Sequence, residues 1–342
     1  MTSETTKRPV WGVLGTGNIA VKQVIPALMK SDRLSVGAIS SRDGQKARAA
    51  AAALGIPRAH DSYEALLADP EIDIVYNPLP NHLHVPWTLK ALEAGKHVLC
   101  EKPIALSASE AEKLIEASRR AGRKVREAFM IRDHPQWQRA RDLARTGALG
   151  SVRAIHASFC YDNRDPANVR NQANIGGGAL NDVGCYAVAL ARFIFEGEPE
   201  KAVVLVDRDP AFGTDRVTSG ILAFPEGRRL VFTCATQLVR SQDVQIIGTE
   251  GRVSLAIPFN QPSDHAARLI FDDGTVVKGQ PHRIEEFAPV DQYRLQAEAF
   301  SDLCMNGDRD LFDAEDAVQN MRGLDALRAS EQTGRWATVL RG

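Results

Sequence analysis

Apolar residues fall along this chain in two different rhythms. From Val10 to about residue 128, short apolar runs alternate with stretches whose apolar positions recur at helical spacing. Val10–Leu14 is an apolar run that ends in Gly15-Thr16-Gly17, and residues 18–30 follow with Ile19, Val24, Ile25 and Leu28 near helical spacing. Residues 34–39 predict a second strand, and the alanine-rich residues 45–54 predict a helix stopped by Gly55 and Pro57. Strand-like runs at 72–76 and 97–100 alternate with helical patterns at 85–94 and 108–121, which end at Gly95 and Gly122. Strands alternating with helices predict a doubly wound parallel sheet.

The rhythm changes after about Phe129. One helix at 136–145 precedes short β-like runs at 152–159, 202–206, 217–224, 229–236, 244–247 and 252–257. Turn residues separate the runs, as in Pro225-Glu226-Gly227 and Asp272-Asp273-Gly274. This predicts a large, mainly antiparallel sheet, followed by helices at 293–304 and 314–333. The expected organisation is an α/β domain over 1–128 and an α+β domain over 129–342, with no internal repeat or low-complexity linker.

Composition narrows the class. The chain has 342 residues, 44% hydrophobic and 25% charged, with a formal net charge of −1. That is ordinary for a soluble globular protein, and it offers no bulk attraction for nucleic acid or an anionic membrane. Five scattered cysteines without a CxxC pair point to reduced thiols in a cytoplasmic protein rather than a disulfide framework or a zinc site. The polar start, Met1 to Pro9, lacks the apolar core of a secretory signal. No apolar run is expected to reach the roughly 18 residues that span a bilayer.

Gly15-Thr16-Gly17-Asn18-Ile19-Ala20 matches G-x-G-x-x-G/A, and it follows a strand and opens a helix, as a dinucleotide-binding turn requires. Glycines let the backbone approach the pyrophosphate, and the helix N-terminus favours its charge. The competing reading is an ordinary glycine-rich turn. The second strand bears on cofactor choice. An NAD site carries a carboxylate there for the ribose 2′-OH, whereas this chain has Ser40-Ser41-Arg42, with Lys46 one turn on. Hydroxyls and a guanidinium suit a 2′-phosphate, so NADP is expected over NAD. Asp43 would suit a 2′-OH if the strand ended later, and Arg42 and Lys46 could equally be a solvated helix start.

Three further clusters stand out. Asn77-Pro78-Leu79-Pro80-Asn81-His82-Leu83-His84 follows a strand and should lie at the same sheet edge; two histidines without further ligands argue against a metal. Glu101-Lys102-Pro103 places a lysine at the carboxyl end of a strand, where ligands bind in such sheets. The third is Gly176-Gly177-Gly178 followed by Asp182 and Tyr186, which at i and i+4 share one face of a helix. Asp182 as a mere helix N-cap and Tyr186 as a packing tyrosine are the alternatives.

These residues resemble the Gfo/Idh/MocA family of nicotinamide-dependent sugar oxidoreductases over almost the whole chain. The resemblance rests on Gly15-Thr16-Gly17-Asn18-Ile19, on Pro80-Asn81-x-x-His84, on the run from Ala94 through Glu101-Lys102-Pro103, and on Gly176-Gly177-Gly178-Ala179-Leu180-x-Asp182-x-Gly184. It implies a Rossmann domain joined to an open-faced sheet domain, an active site in the cleft between them, and a homodimer or homotetramer, often formed through the sheet. It assigns cofactor contacts to Gly15, Thr16, Gly17, Asn18 and Ile19, to Ser41, Arg42 and Lys46, to Pro78, Leu79, Asn81 and His84, and to Glu101 and Lys102.

Many members have histidine four residues after the aspartate, but this chain has Tyr186. It therefore resembles the subgroup containing glucose–fructose oxidoreductase, NADP-dependent D-xylose dehydrogenases and dimeric dihydrodiol dehydrogenase, in which the matching tyrosine is the proposed acid/base. The implied catalytic set is Lys102, Asp182 and Tyr186, with no metal. Arg132, His134 and Arg170 are candidate substrate contacts, or else structural ion-pair partners. Unlike the periplasmic glucose–fructose enzyme, the chain shows no twin-arginine leader, so export is not expected. The expected activity is oxidation of an aldose such as D-xylose or glucose at C1. Dihydrodiol oxidation, keto-sugar or dicarbonyl reduction, and a non-catalytic NADP-sensing regulator are the alternatives.

Overall fold

The structure, a computed structural model, describes residues 8–275, 283–307 and 310–341. Most of the polar start, residues 1–7, lies outside the described residues. The chain divides into two compact units. The first comprises Met1–Ile104, Glu110–Ala128 and Tyr293–Ala317; the second comprises Ala105–Ser109, Phe129–Gln292 and Val318–Gly342. The expected split at 128/129 thus meets two crossings, the larger being the return of residues 293–317 to the first unit.

The first unit carries six parallel strands: β1 (Val10–Leu14), β2 (Ser35–Ser40), β3 (Arg58–His60), β4 (Ile74–Asn77), β5 (His97–Cys100) and β6 (Val125–Glu127). Their order is β3-β2-β1-β4-β5-β6, so the winding reverses between β1 and β4. Strands β1 and β4 read as near-continuous apolar runs because helices cover both faces of such a sheet. The short β3 and β6 escaped the sequence pattern, since three residues give no usable periodicity. The returning segment is held by packing and charge. Phe300 sits edge-on to Trp11 at 6.2 Å, and Trp11 Nε1 donates to Ser301 Oγ at 3.1 Å. Arg126 on β6 donates through Nη2 to Asp310 Oδ1 at 2.8 Å and through Nε to Oδ2 at 3.1 Å, both residues being buried.

The second unit is a nine-stranded sheet. Its strands are β7 (Val152–Asp162), β8 (Lys201–Arg208), β9 (Asp215–Ala223), β10 (Arg229–Ala235), β11 (Gln237–Gly248), β12 (Arg252–Leu255), β13 (Ala267–Asp272), β14 (Arg283–Phe287) and β15 (Ala337–Thr338). The order is β14-β13-β12-β11-β7-β10-β9-β8-β15, antiparallel throughout except for the parallel pair β7·β10. Helix Cys185–Phe195 is buried along its entire length. Residues 173–195 have the length and composition that alone would allow a membrane crossing, but 89% of their apolar 18-residue window is buried within the protein. Its hydrophobicity is therefore accounted for by the core of the second unit.

Candidate active site

The nucleotide edge of the first unit gathers at the carboxyl ends of its strands. Gly15 follows β1 with φ +84°, a left-handed conformation that side chains rarely adopt, and its N–H donates to Ser40 O on β2 at 2.8 Å. A Cβ on Gly15 would come within 3.1 Å of Leu79 Cδ2, so the turn also passes close to the loop after β4. A pocket of about 460 Å³ opens here. Of the expected residues, Gly15, Thr16, Gly17, Ser41, Arg42, Lys46, Pro78 and Leu79 line it. Asp43, Tyr63 and Pro80 line it as well.

β2 ends at Ser40, and Asp43 caps the next helix, its Oδ1 accepting from Gln45 N at 3.0 Å and Lys46 N at 3.3 Å. One carboxylate oxygen is thus engaged by backbone donors, and the other, Oδ2, lies 3.9 Å from Lys46 Nζ. A glycine turn that admits close backbone approach, beside the Ser41 hydroxyl and the cations of Arg42 and Lys46, fits a dinucleotide with an extra phosphate on its adenosine ribose. Tyr63 was not expected from the sequence. It comes from a five-residue helix, Tyr63–Leu67, too short to register as a periodic pattern, and packs edge-on against Trp87 at 4.8 Å.

Asn18, Ile19, Asn81, His84, Glu101 and Lys102 are outside that lining. His84 serves as a brace. Its buried ring holds Nδ1 2.7 Å from Pro103 O and Nε2 2.6 Å from Leu79 O, tying the loop after β4 to the segment after β5. Burial pushes its pKa down to about 4, with the positive charge of Lys102 acting the same way and the two carbonyls opposing. Glu101 Oε1 accepts from Tyr76 Oη at 2.7 Å, and Glu127 Oε1 accepts from Ile104 N at 2.9 Å. Lys102 therefore stands on a segment fixed at both ends.

In the second unit, the glycine triplet leads into a wide π-type turn, Leu180–Gly184, and then the buried helix. Gly178 has φ +116°, and a Cβ there would lie 1.9 Å from Asp215 Oδ1. Asp215 on β9 accepts from Leu180 N at 2.6 Å and from Thr218 Oγ1 at 2.9 Å. Asp215, rather than Asp182, thus supplies a carboxylate to the start of this helical segment. Asp182 Oδ2 instead accepts from Tyr161 Oη at 2.5 Å and pairs with Arg170 Nε at 2.9 Å.

Tyr186 is 4% exposed. Its ring meets Phe129 at 5.2 Å, Phe259 at 5.4 Å and Phe159 at 5.6 Å, and its hydroxyl lies 3.3 Å from Met130 Sδ, a weak acceptor. Arg132 is buried with its guanidinium over the Phe129 ring at 5.2 Å. His134 Nδ1 accepts from Gln136 N at 3.2 Å and caps helix Pro135–Arg145, and burial pushes its pKa down to about 4. Among the described residues, no group of three or more His, Cys, Asp or Glu residues is placed to hold a metal ion.

Tyr161 and Asp215 were missed from the sequence. The strand was read as ending at 159, two residues short of Tyr161, although the inward alternation continues to it. Asp215 carries no local signal, because its partner is 35 residues away.

A glycine turn at the point where a parallel sheet reverses its winding, beside a cation-bearing pocket, defines the class of nucleotide-dependent Rossmann enzymes. Residues 10–129 match the family described as "Oxidoreductase family, NAD-binding Rossmann fold", and residues 137–254 match the GFO/IDH/MocA C-terminal domain. The chain belongs to the Gfo/Idh/MocA family of oxidoreductases. It is 46% identical to an uncharacterised oxidoreductase from Rhizobium meliloti, over 96% of this chain and 98% of that protein. It is 39% identical to D-xylose 1-dehydrogenase (NADP(+)) 2 from Haloferax volcanii, over 95% of this chain and 98% of that protein. Among solved structures it resembles a 3-ketoreductase from Actinomadura kijaniata in complex with NADP and TDP-benzene. That match has a TM-score of 0.88 and 27% identity, covering 95% of this chain and 98% of the other.

Proposed function

We propose that this protein is an NADP-dependent dehydrogenase of sugars, oxidising C1 of an aldose such as D-xylose or glucose to the lactone. The observation that carries the cofactor choice is the pocket that brings Ser41, Arg42 and Lys46 together, with one Asp43 oxygen taken by a helix cap. The NADP-dependent xylose dehydrogenase relative, matched over nearly the full length of both chains, supports the substrate class.

When bound, NADP⁺ accepts the hydride. Tyr186 takes the proton from the sugar hydroxyl and returns it in the reverse direction. A phenol has an ordinary pKa of about 10 and is a poor base near neutrality. Such a base needs a cation to offset the charge that develops on the substrate oxygen, and that is the role we give to the Lys102 ammonium. Asp182, held by Tyr161 and Arg170, orients the substrate. Arg170 therefore acts through Asp182, while Arg132 and His134 shape the surroundings of the Tyr186 ring.

A second reading, reduction of a keto-sugar, runs the same proton and hydride movements backwards. The NADP-bound 3-ketoreductase neighbour favours it. A panel of aldoses and dihydrodiols with NADP⁺, and of keto-sugars with NADPH, followed at the nicotinamide absorbance, separates the two. No turnover with any of them, alongside tight NADPH binding, would overturn both readings in favour of a sensor.

A further inference from the structure

Strand β7 meets the Asp182–Tyr186 segment with a matched spacing. Phe159 and Tyr161 are two residues apart on one strand, so they share a sheet face about 6.7 Å apart. Asp182 and Tyr186 are four residues apart on a segment that passes from the π-type turn into the helix beginning at Cys185. The segments run in opposite senses: the Phe159 ring lies against Tyr186, and the Tyr161 hydroxyl reaches Asp182. Each of the two polar residues on the helix thus has its own partner on one strand.

At Asp182 two donors converge on one oxygen. Tyr161 Oη donates to Oδ2 at 2.5 Å and Arg170 Nε lies 2.9 Å from the same atom. Two donors on one carboxylate oxygen limit rotation of the group. They differ in exposure, however. The Arg170 side chain is 42% exposed and that of Asp182 is 12% exposed, so water competes for the arginine contact. Tyr161 is only partly exposed, and burial, with the Asp182 charge, pushes its pKa upward. It therefore stays protonated and remains a donor.

We propose that Tyr161 is a positioning residue which, through its hydrogen bond to Asp182, sets the orientation of that carboxylate toward the substrate. The assignment rests on the role given to Asp182 above.

The test is a double-mutant cycle with Tyr161→Phe, Asp182→Asn and the double variant, assayed for kcat and KM with D-xylose and NADP⁺. Thermal stability and NADPH affinity are followed in parallel. Tyr161→Phe should lower kcat/KM about 10- to 100-fold, the range for a hydrogen bond to a charged group. NADPH affinity should hold, and the loss should largely vanish in the Asp182→Asn background. Losses that simply add, or a Tyr161→Phe defect confined to thermal stability, would overturn the assignment. A Tyr186→Phe variant with near-normal turnover would remove the acid/base reading yet leave the coupling between residues 161 and 182 standing. The two failures are therefore distinguishable.

Discussion

At the nucleotide edge, the working groups are a glycine turn and side chains that face an open pocket. Around Tyr186 they are buried side chains that face one another. The first arrangement is assembled from consecutive residues: Gly15-Thr16-Gly17 after β1, Ser41-Arg42 after β2, Pro78-Leu79 after β4. The second draws on β7, β9, the segment before helix Pro135–Arg145 and the helix that begins at Cys185. An edge of the first kind owes its specificity to charge. A cluster of the second kind ties specificity to packing, so a single substitution is felt by several partners.

The sharpest way to break this contrast is Tyr186→Phe. It removes one oxygen from a buried ring, and turnover should fall about 10²- to 10⁴-fold while NADPH binding and thermal stability stay close to the parent. Near-normal turnover would reduce Tyr186 to a packing residue. Gly178→Ala comes next. The left-handed backbone and the approach of Asp215 together predict about 3 kcal/mol of destabilisation, readable as a lower urea midpoint. A stable Gly178→Ala protein would show that the glycine loop can move away from β9.

His84 gives a pH-dependent test within the first unit. The unfolded chain takes up a proton near pH 6.5, whereas burial keeps the folded ring neutral down to about 4. The stabilisation is thus complete above pH 6.5 and is lost as pH falls toward 4. Replacing His84 by Gln should flatten the fall in stability between pH 6.5 and 5 by about 2 kcal/mol. An unchanged slope would mean that the Leu79 and Pro103 carbonyls hold an imidazolium instead. The smallest expected effect belongs to the open edge. Arg42→Ala should weaken NADPH binding about 10-fold and NADH binding little, measured by fluorescence titration. Equal weakening of both would end the 2′-phosphate reading.

The sheet of the first unit was legible because buried parallel strands and their helices announce themselves by period and by terminal glycines. Val10–Leu14, His97–Cys100 and helix Ala108–Ala121 appear with the bounds read from the sequence. What escaped was short or long-range. β3, β6 and helix Tyr63–Leu67 are too brief for a pattern, and the burial of the edge strand β14 and of its neighbour β13 does not alternate along the whole strand. For the site, the residue types were readable and their partners were not. Arg132 and His134 are candidate substrate contacts or structural partners by sequence, and the place of Arg132 over the Phe129 ring and of His134 as a helix cap depends on tertiary placement that the sequence does not carry.

The carboxylate that Asp215 lends to Leu180 N has a kinetic side. The nearby Asp182 carboxylate is taken by Tyr161 and Arg170, and the one that Leu180 N uses lies on β9, beyond helix Cys185–Phe195 and β8 in the sequence. That contact spans 35 residues, a shorter loop than the one closed when β7 pairs with β10. The glycine segment that presents Asp182 should therefore gain protection from hydrogen exchange no later than the β7·β10 pairing during refolding, so newly made chains would carry the support of this segment before they carry a complete sheet.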